Sequence, residues 1–361
     1  MRIAVLGGGN GSLAAAADLT EQGHEVRLWR RDAAAVAALN AAGNRLVLKD
    51  FRGRREVCLA MATADPAAAL AGAELIVCPT PATAQEDIAR TIAPHLADGQ
   101  VVFLPPGSFG SVVMARILRQ SGNGAELAFA EAGTLPWLVR KHGPHEVAIT
   151  TRATRLPTGV YPLRLAEHAH RILAQAFPAV EPCGDALSGA LMNAGPIIHP
   201  PLIVMNAAPL EHFDRWDIHN EGTQPSVRRV TTRLDGERMA LREALGYGAP
   251  HFPLADHYDP DGEEWMYGNA AHERLTDSGD WRERIALTSH RYMREDVAIG
   301  LAFLVSVADW AGVPAPTATG LLAIGSAICD DDFRATGRTL ERLGLAGMDR
   351  EALQAMLREG A

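Results

Sequence analysis

Two stretches in the second half of this 361-residue chain carry side chains suited to acid–base and carboxylate chemistry. The first is Met192-Asn193-Ala194-Gly195-Pro196-Ile197-Ile198-His199-Pro200-Pro201, where one imidazole stands in an apolar run. Imidazole is the side chain that titrates near neutral pH. Taken alone, a histidine so placed reads as a satisfied core residue. The second stretch is Ser289-His290-Arg291-Tyr292-Met293-Arg294-Glu295-Asp296-Val297. Arg291 offers the forked donors that match a carboxylate. Asp296 falls in the first turn of an apolar helix expected over 296–311, where the helix dipole favours the ionised form. An ionised aspartate is the group that holds a histidine tautomer and stabilises the imidazolium. Read locally, the same stretch is also an ordinary helix start with routine charge pairs.

A third chemical feature opens the chain. The run Ile3–Leu6 suits a buried parallel strand, and Gly7, Gly9 and Ser12 fall at the three small positions of G-x-G-x-x-G, with Asn10 and Gly11 completing the turn. A helix is expected over 12–22. This is the strand–turn–helix that seats a dinucleotide pyrophosphate on the free amides of a helix N-terminus. Ser12 departs from the pattern by one hydroxymethyl group. A second strand, Glu25–Trp29, ends in Arg30-Arg31-Asp32. The fingerprint expects an acid there for a ribose 2′-hydroxyl. Arg30 comes first instead and would pair with a 2′-phosphate, which favours NADP(H), with NAD(H) second. Arg30 and Arg31 as plain solvated loop charges is the competing view.

The elements that must position these groups follow from periodicity. Helices are expected over 32–42, 65–71 and 163–176, and strands over 45–48, 58–62, 74–78, 100–104, 126–130 and 146–150. The strand exits Pro79-Thr80-Pro81-Ala82 and Pro105-Pro106-Gly107-Ser108 belong at the carboxyl edge of the sheet, where ligands bind in open α/β folds. Pro79, Thr80, Pro81 and Pro106 are therefore candidate walls for the nicotinamide. Beyond residues 182–185 the pattern turns helical, over 188–206 (a buried, interrupted helix), 227–245, 296–311 and 318–328. The expected fold class is α/β plus all-α: a doubly wound Rossmann domain over 1–185 and an all-helical substrate domain over 186–361. Glu131 at a strand end, Asn193, and Trp265 and Tyr267 in the 251–285 loops are further candidates for substrate binding.

Composition narrows the partners. The net charge is −9 with no basic block, which argues against nucleic acid and anionic membranes. The uncharged stretch 189–210 is broken by prolines and polar residues and does not read as a membrane span. The first apolar run is too short for a secretory leader. Cys58, Cys78, Cys183 and Cys329 are far apart and fit free thiols in a reducing, cytoplasmic setting. The acidic run 256–264 fails as a calcium loop because Gly268 stands where a bidentate glutamate is required. No metal site is expected. Only two lysines occur, Lys49 and Lys141.

The chain as a whole resembles the opine dehydrogenases, the octopine/nopaline dehydrogenase group, and within it the bacterial amino-acid-type members. The resemblance is carried by GGGNGSLAAAADL at the start, NAGPIIHP around His199, Glu221–Val227 (EGTQPSV), RYMREDVAIGL from Arg291, Asp332-Phe333-Arg334, and Gly337–Glu341 (GRTLE). It implies a Rossmann domain, a helical domain and a site in the cleft between them. It implies a catalytic His199–Asp296 pair and a substrate-binding Arg291. The implied reaction is NAD(P)H-dependent joining of a keto acid to the amine of an amino acid, and the implied assembly is a homodimer. Reductases of similar layout rely on a lysine in the helical half, and no lysine follows Lys141. Arginine stays protonated and cannot replace it as an acid–base group. A 2-keto acid reductase using the same pair, and a nucleotide-binding protein without turnover, are the alternatives.

Overall fold

The computed structural model describes residues 1–269, 271–282 and 284–360. They form two compact units. The first holds Met1–Thr80, Ala84–Ala190 and 356–360; the second holds Pro81–Thr83 and Leu191–Ala355. The division therefore departs from the expected 1–185 and 186–361 in three places: past the last strand, at residues 81–83, and at the C-terminal end.

Strands of the first unit are β1 (Arg2–Leu6), β2 (Glu25–Trp29), β3 (Arg45–Asp50), β4 (Gly53–Cys58), β5 (Met61–Thr63), β6 (Leu75–Val77), β7 (Val101–Leu104), β8 (Ala128–Ala132), β9 (Trp137–Lys141), β10 (Glu146–Arg152), β11 (Leu156–Tyr161) and β12 (Val180–Asp185). Eight of them form one sheet in the order β12-β11-β8-β7-β6-β1-β2-β5. β1 lies between β2 and β6, parallel to both, and Ile3–Leu6 are wholly buried. A run covered on both faces must be apolar throughout, and it is. At the other edge β11 runs antiparallel to β8 and parallel to β12.

A second sheet, β4-β3-β10-β9, was not expected from the sequence. β4 reads Gly-Arg-Arg-Glu-Val-Cys, and a strand so charged leaves almost no apolar alternation to detect. The expected strand over 58–62 is in fact divided between sheets: Cys58 ends β4, and Met61 begins β5 beside β2. β9, β11 and β12 also escape the periodicity. The inward side chains of the second sheet (Leu46, Leu48, Trp137, Val139, Val147 and Ile149) share one core with the helix Asn10–Glu21. That helix packs against both sheets, and Ala14–Ala17 are all fully buried. Small side chains allow a helix to be covered on opposite sides without a void.

Asp18 locks this arrangement. Its carboxylate accepts the Trp137 indole N–H at 2.9 Å and the Arg152 guanidinium at 2.6 Å. Arg152 also pairs with Asp50 at 2.9 Å. Burial acts to raise the Asp50 carboxyl, but hydrogen bonds from Arg55, Arg52 and Arg152 hold it well below the usual carboxylate range.

The second unit contains helices Gly195–Met205, Pro225–Ala244, Ala302–Ala311 and Pro316–Cys329, and a wider helix of i→i+5 bonds over Tyr292–Leu301. The expected helix over 188–206 is two helices, Ala186–Leu191 and Gly195–Met205, the second containing Pro200 and Pro201. Gly195–Met205 lies at the centre, against Tyr292–Leu301, Pro225–Ala244 and Pro316–Cys329. Among the described residues no helix is long and apolar enough to cross a membrane.

Replacing Asp18 by Ala leaves the Trp137 N–H without a partner and the part-buried Arg152 with only Asp50. Chemical denaturation should show a loss of about 2–3 kcal/mol. A change below about 0.5 kcal/mol would mean that the network does not hold the second sheet in place.

Candidate active site

His199 and Asp296 are 97 residues apart in sequence and meet side by side: Nδ1 of His199 lies 2.7 Å from Oδ2 of Asp296. The contact depends on two glycines. A Cβ on Gly195 would collide with Oδ1 of Asp296, and a Cβ on Gly300 would collide with the ring of Pro196. Only glycine lets the helix Gly195–Met205 approach Tyr292–Leu301 this closely. Asn193, expected at the substrate, is buried and its Oδ1 accepts the Gly195 N–H at 2.9 Å. It shapes the turn that presents Gly195.

Tyr292 stacks on the imidazole, with ring centroids 3.7 Å apart and planes inclined by 14°. Sequence inspection gave no sign of this role, because tyrosine four residues before an aspartate is unremarkable in an ordinary helix. His219 stands edge-on to His199 at 6.0 Å, and its Nε2 lies 3.4 Å from the Tyr292 hydroxyl. The imidazole is thus held at Nδ1 by Asp296 and stacked on Tyr292.

The expected ionised Asp296 is corrected by the structure. The helix begins at Tyr292, with Arg291 as its N-cap, so Asp296 lies beyond the first turn, where the dipole has faded. Burial dominates and pushes its carboxyl up to about 7, against the pull of Arg291. The Asp296 carboxyl accordingly holds its proton more firmly than an exposed aspartate does.

Arg291 is half exposed and one guanidinium nitrogen lies 3.3 Å from Oε2 of Glu295. Glu295 is buried, and burial raises its carboxyl while Arg291 opposes the shift. Its other oxygen accepts the Ala82 N–H at 2.8 Å, and Arg338 donates to the Ala82 carbonyl at 3.1 Å. Pro81, expected beside the nicotinamide, belongs to the short segment Pro81–Thr83 that these two side chains hold within the helical unit.

The nucleotide half can be tested for fit in the first unit. Gly7 has φ of +105°, and a Cβ there would lie 2.7 Å from the Ser12 hydroxyl. Ser12 does not obstruct the turn, because its hydroxyl folds back to donate to the Leu6 carbonyl at 2.9 Å. Gly9 is the N-cap of the helix Asn10–Glu21, has no side-chain cap, and faces open space. The first amides of that helix are therefore suited to an anion. The turn also packs against the β6 exit: Pro79 approaches Gly11, and Thr80 approaches Gly7. Arg30 lies over Gly8, where a Cβ would come within 2.5 Å of its Nε. Arg31 is exposed, and Asp32 caps the next helix through the Ala35 N–H at 3.0 Å. These residues fit a dinucleotide.

Glu131, expected at the substrate, is engaged with the backbone of its own unit. It is wholly buried, and its carboxylate accepts the Phe109 N–H at 2.7 Å, the Ser111 N–H at 2.9 Å and the Ser111 hydroxyl. Those bonds hold Ser108 and Phe109 at φ of 52° and 64°, in the turn that starts at Pro106. Trp265 and Tyr267 are likewise buried, and the Trp265 indole N–H donates to the Phe252 carbonyl at 3.1 Å. Both rings lie among the buried residues of the helical unit.

The raised carboxyl of Asp296 has a consequence for stability. The folded protein retains a proton that the unfolded chain releases at about pH 4. Stability must therefore fall as pH climbs from there through about 7, by at most about 1.4 kcal/mol per pH unit. Denaturant unfolding at several pH values should show a flatter slope for Asp296→Asn than for the parent; identical slopes would contradict the assignment.

Comparison with known proteins gives two family matches. Residues 182–329 match the family described as NAD/NADP octopine/nopaline dehydrogenase, alpha-helical domain, and residues 2–107 match the N-terminus of NAD-dependent glycerol-3-phosphate dehydrogenase. The opine dehydrogenase of Arthrobacter sp. (strain 1C) is 29% identical over 354 residues, covering 96% of this chain and 95% of that protein. The solved octopine dehydrogenase in complex with NADH and agmatine superposes with a TM-score of 0.73 at 20% identity, covering 99% and 98% of the two chains. NADP+-bound yersinopine dehydrogenase gives a TM-score of 0.65 at 14% identity, covering 99% and 98%. At such identities the two structures speak for the fold, and the full-length relative together with the helical-domain match shows what the chain is similar to: the octopine/nopaline (opine) dehydrogenases.

Proposed function

We propose that the protein is an NAD(P)H-dependent opine dehydrogenase that reductively joins an α-keto acid to the amine of an amino acid. The observation that carries this reading is the His199–Asp296 contact at 2.7 Å, within the helical unit typical of the family. NADP(H) is the preferred cofactor in this reading, supported by Arg30 beside the glycine turn and by the engagement of Asp32 in a helix cap. The turn Gly7–Ser12 and the following helix amides would hold the pyrophosphate. When bound, the cofactor supplies hydride from C4 of its nicotinamide.

The remaining chemistry is proton transfer, and it belongs to the chain. Nε2 of His199 takes a proton from the attacking amine as the nitrogen bonds to the keto carbon. The same nitrogen gives that proton to the former carbonyl oxygen, making it a hydroxyl, and then carries the second proton from the nitrogen to this hydroxyl, so that water leaves and a neutral imine remains. Asp296 keeps Nδ1 oriented and stabilises the charge that forms on the ring. Tyr292 adds its electron-rich face to that charge. Arg291 grips a substrate carboxylate, exchanging its contact with Glu295 for one with the ligand and orienting the imine carbon. A reducing cytoplasmic setting is part of this reading, supported by four free cysteines. A homodimer is carried by family resemblance alone.

A matrix of NADPH and NADH against several keto acids, each with and without a panel of amino acids, tests the reaction. Oxidation of NADPH should require both substrates. Equal rates with keto acid alone would make the protein a keto acid reductase instead. His199→Ala should lower kcat about 10³-fold with cofactor affinity within about threefold of the parent; retained turnover would remove His199 from the chemistry. Arg291→Ala should raise the keto acid KM by about tenfold or more, and an unchanged KM would release Arg291 from the carboxylate role.

A further inference from the structure

One of the chain's two lysines stands at the glycine turn. Lys141 is the last residue of β9 in the second sheet. Its backbone N–H donates to Oδ1 of Asn10 at 3.0 Å, and its Nζ donates to the Gly8 carbonyl at 3.2 Å. Arg30 reaches the same glycine from the end of β2 and lies against the space a Cβ on Gly8 would fill. Two cations from different sheets therefore converge on one residue of the turn. Among the described residues neither forms an ion pair. The acid nearest in sequence, Asp32, is engaged in its helix cap.

Like charges brought together without a counter-ion repel, and the protein has a surplus of acids with which to compensate them. Burial and the field of Arg30 both lower the pKa of Lys141, the response of an ammonium crowded by another cation. The missing component is an anion supplied by a ligand. Its position identifies it. The pyrophosphate is served by the helix amides that follow Gly9. The end of the second strand is where this fold reads the adenosine ribose.

Resting on the cofactor reading above, we propose that Lys141 acts together with Arg30 as a specificity-determining residue that binds the 2′-phosphate of NADP(H). It is delivered by a sheet outside the βαβ fingerprint, so the preference for the phosphorylated cofactor depends on the edge of β9 as well as on the end of β2.

Isothermal titration with 2′,5′-ADP and with 5′-AMP separates the 2′-phosphate from the rest of the nucleotide. The full-length protein should bind 2′,5′-ADP at least about tenfold more tightly. Lys141→Met should reduce that preference by about tenfold, leave 5′-AMP and NADH affinity within about twofold, and flatten the salt dependence of NADPH binding. Lys141→Arg keeps the charge and should retain the preference within about threefold, which guards against misreading a folding defect. Equal losses for both nucleotides would assign Lys141 to the pyrophosphate or to loop packing and overturn the proposal. Undiminished discrimination in Lys141→Met would overturn it while leaving the NADP(H) preference intact. No discrimination in the parent protein would sink the preference and this proposal together.

Discussion

A carboxylate kept from water beside an imidazole is the constraint on which the helical unit is built. Asp296 is 4% exposed and touches His199. Excluding water from such a pair requires the two helices that carry it to come closer than side chains normally allow. Gly195 and Gly300 supply that closeness, one under the aspartate and one under Pro196. The cost of burial appears as proton affinity: the Asp296 carboxyl is pushed up to about 7. The helix end, which by charge alone favours an anion, is too far along the chain to reverse this.

The nucleotide unit solves a related problem by a different route. Instead of burying charge, it leaves it uncompensated. The helix amides after Gly9 have no side-chain cap, and Arg30 and Lys141 meet at Gly8. Around them the structure is stiff. Glu131 fixes the turn after β7, Asp18 fixes the helix against both sheets, and Pro79 packs on Gly11. Binding a dinucleotide there needs little ordering of the protein, which lowers the entropy lost on association.

How much of this was legible in the sequence follows the distance over which each interaction acts. The glycine turn, its strand and its helix are set by neighbours within twelve residues, and periodicity finds them. The strand Glu25–Trp29 is recovered at its observed limits. The second sheet is invisible because β4 is a charged strand with almost no apolar alternation, and because the pairing that joins its two hairpins, β3 with β10, is between segments distant in sequence. At the site, the pairing of His199 with Asp296 came from family likeness, since local sequence left each with a simpler explanation. For Glu131 the sequence shows an acid at a strand end, and only the fold shows the Phe109 and Ser111 amides that its carboxylate accepts. The burial of Trp265 and Tyr267 is likewise invisible in a loop whose packing partners are distant. Tyr292 and Lys141 could not have been found by spacing, because their partners come from other elements.

The helix Tyr292–Leu301 is wound more widely than its continuation Ala302–Ala311. Winding sets the direction in which each side chain leaves the axis, and in an ordinary helix one residue is worth about 100° of rotation. Tyr292, Glu295 and Asp296 keep their bearings on His199 and Ala82 only while the number of residues in this segment is preserved. Such a segment accepts exchange of many side chains but not the gain or loss of one. Chain length here is a functional quantity in its own right, and a one-residue deletion that left every named side chain in place would still turn Asp296 away from the imidazole.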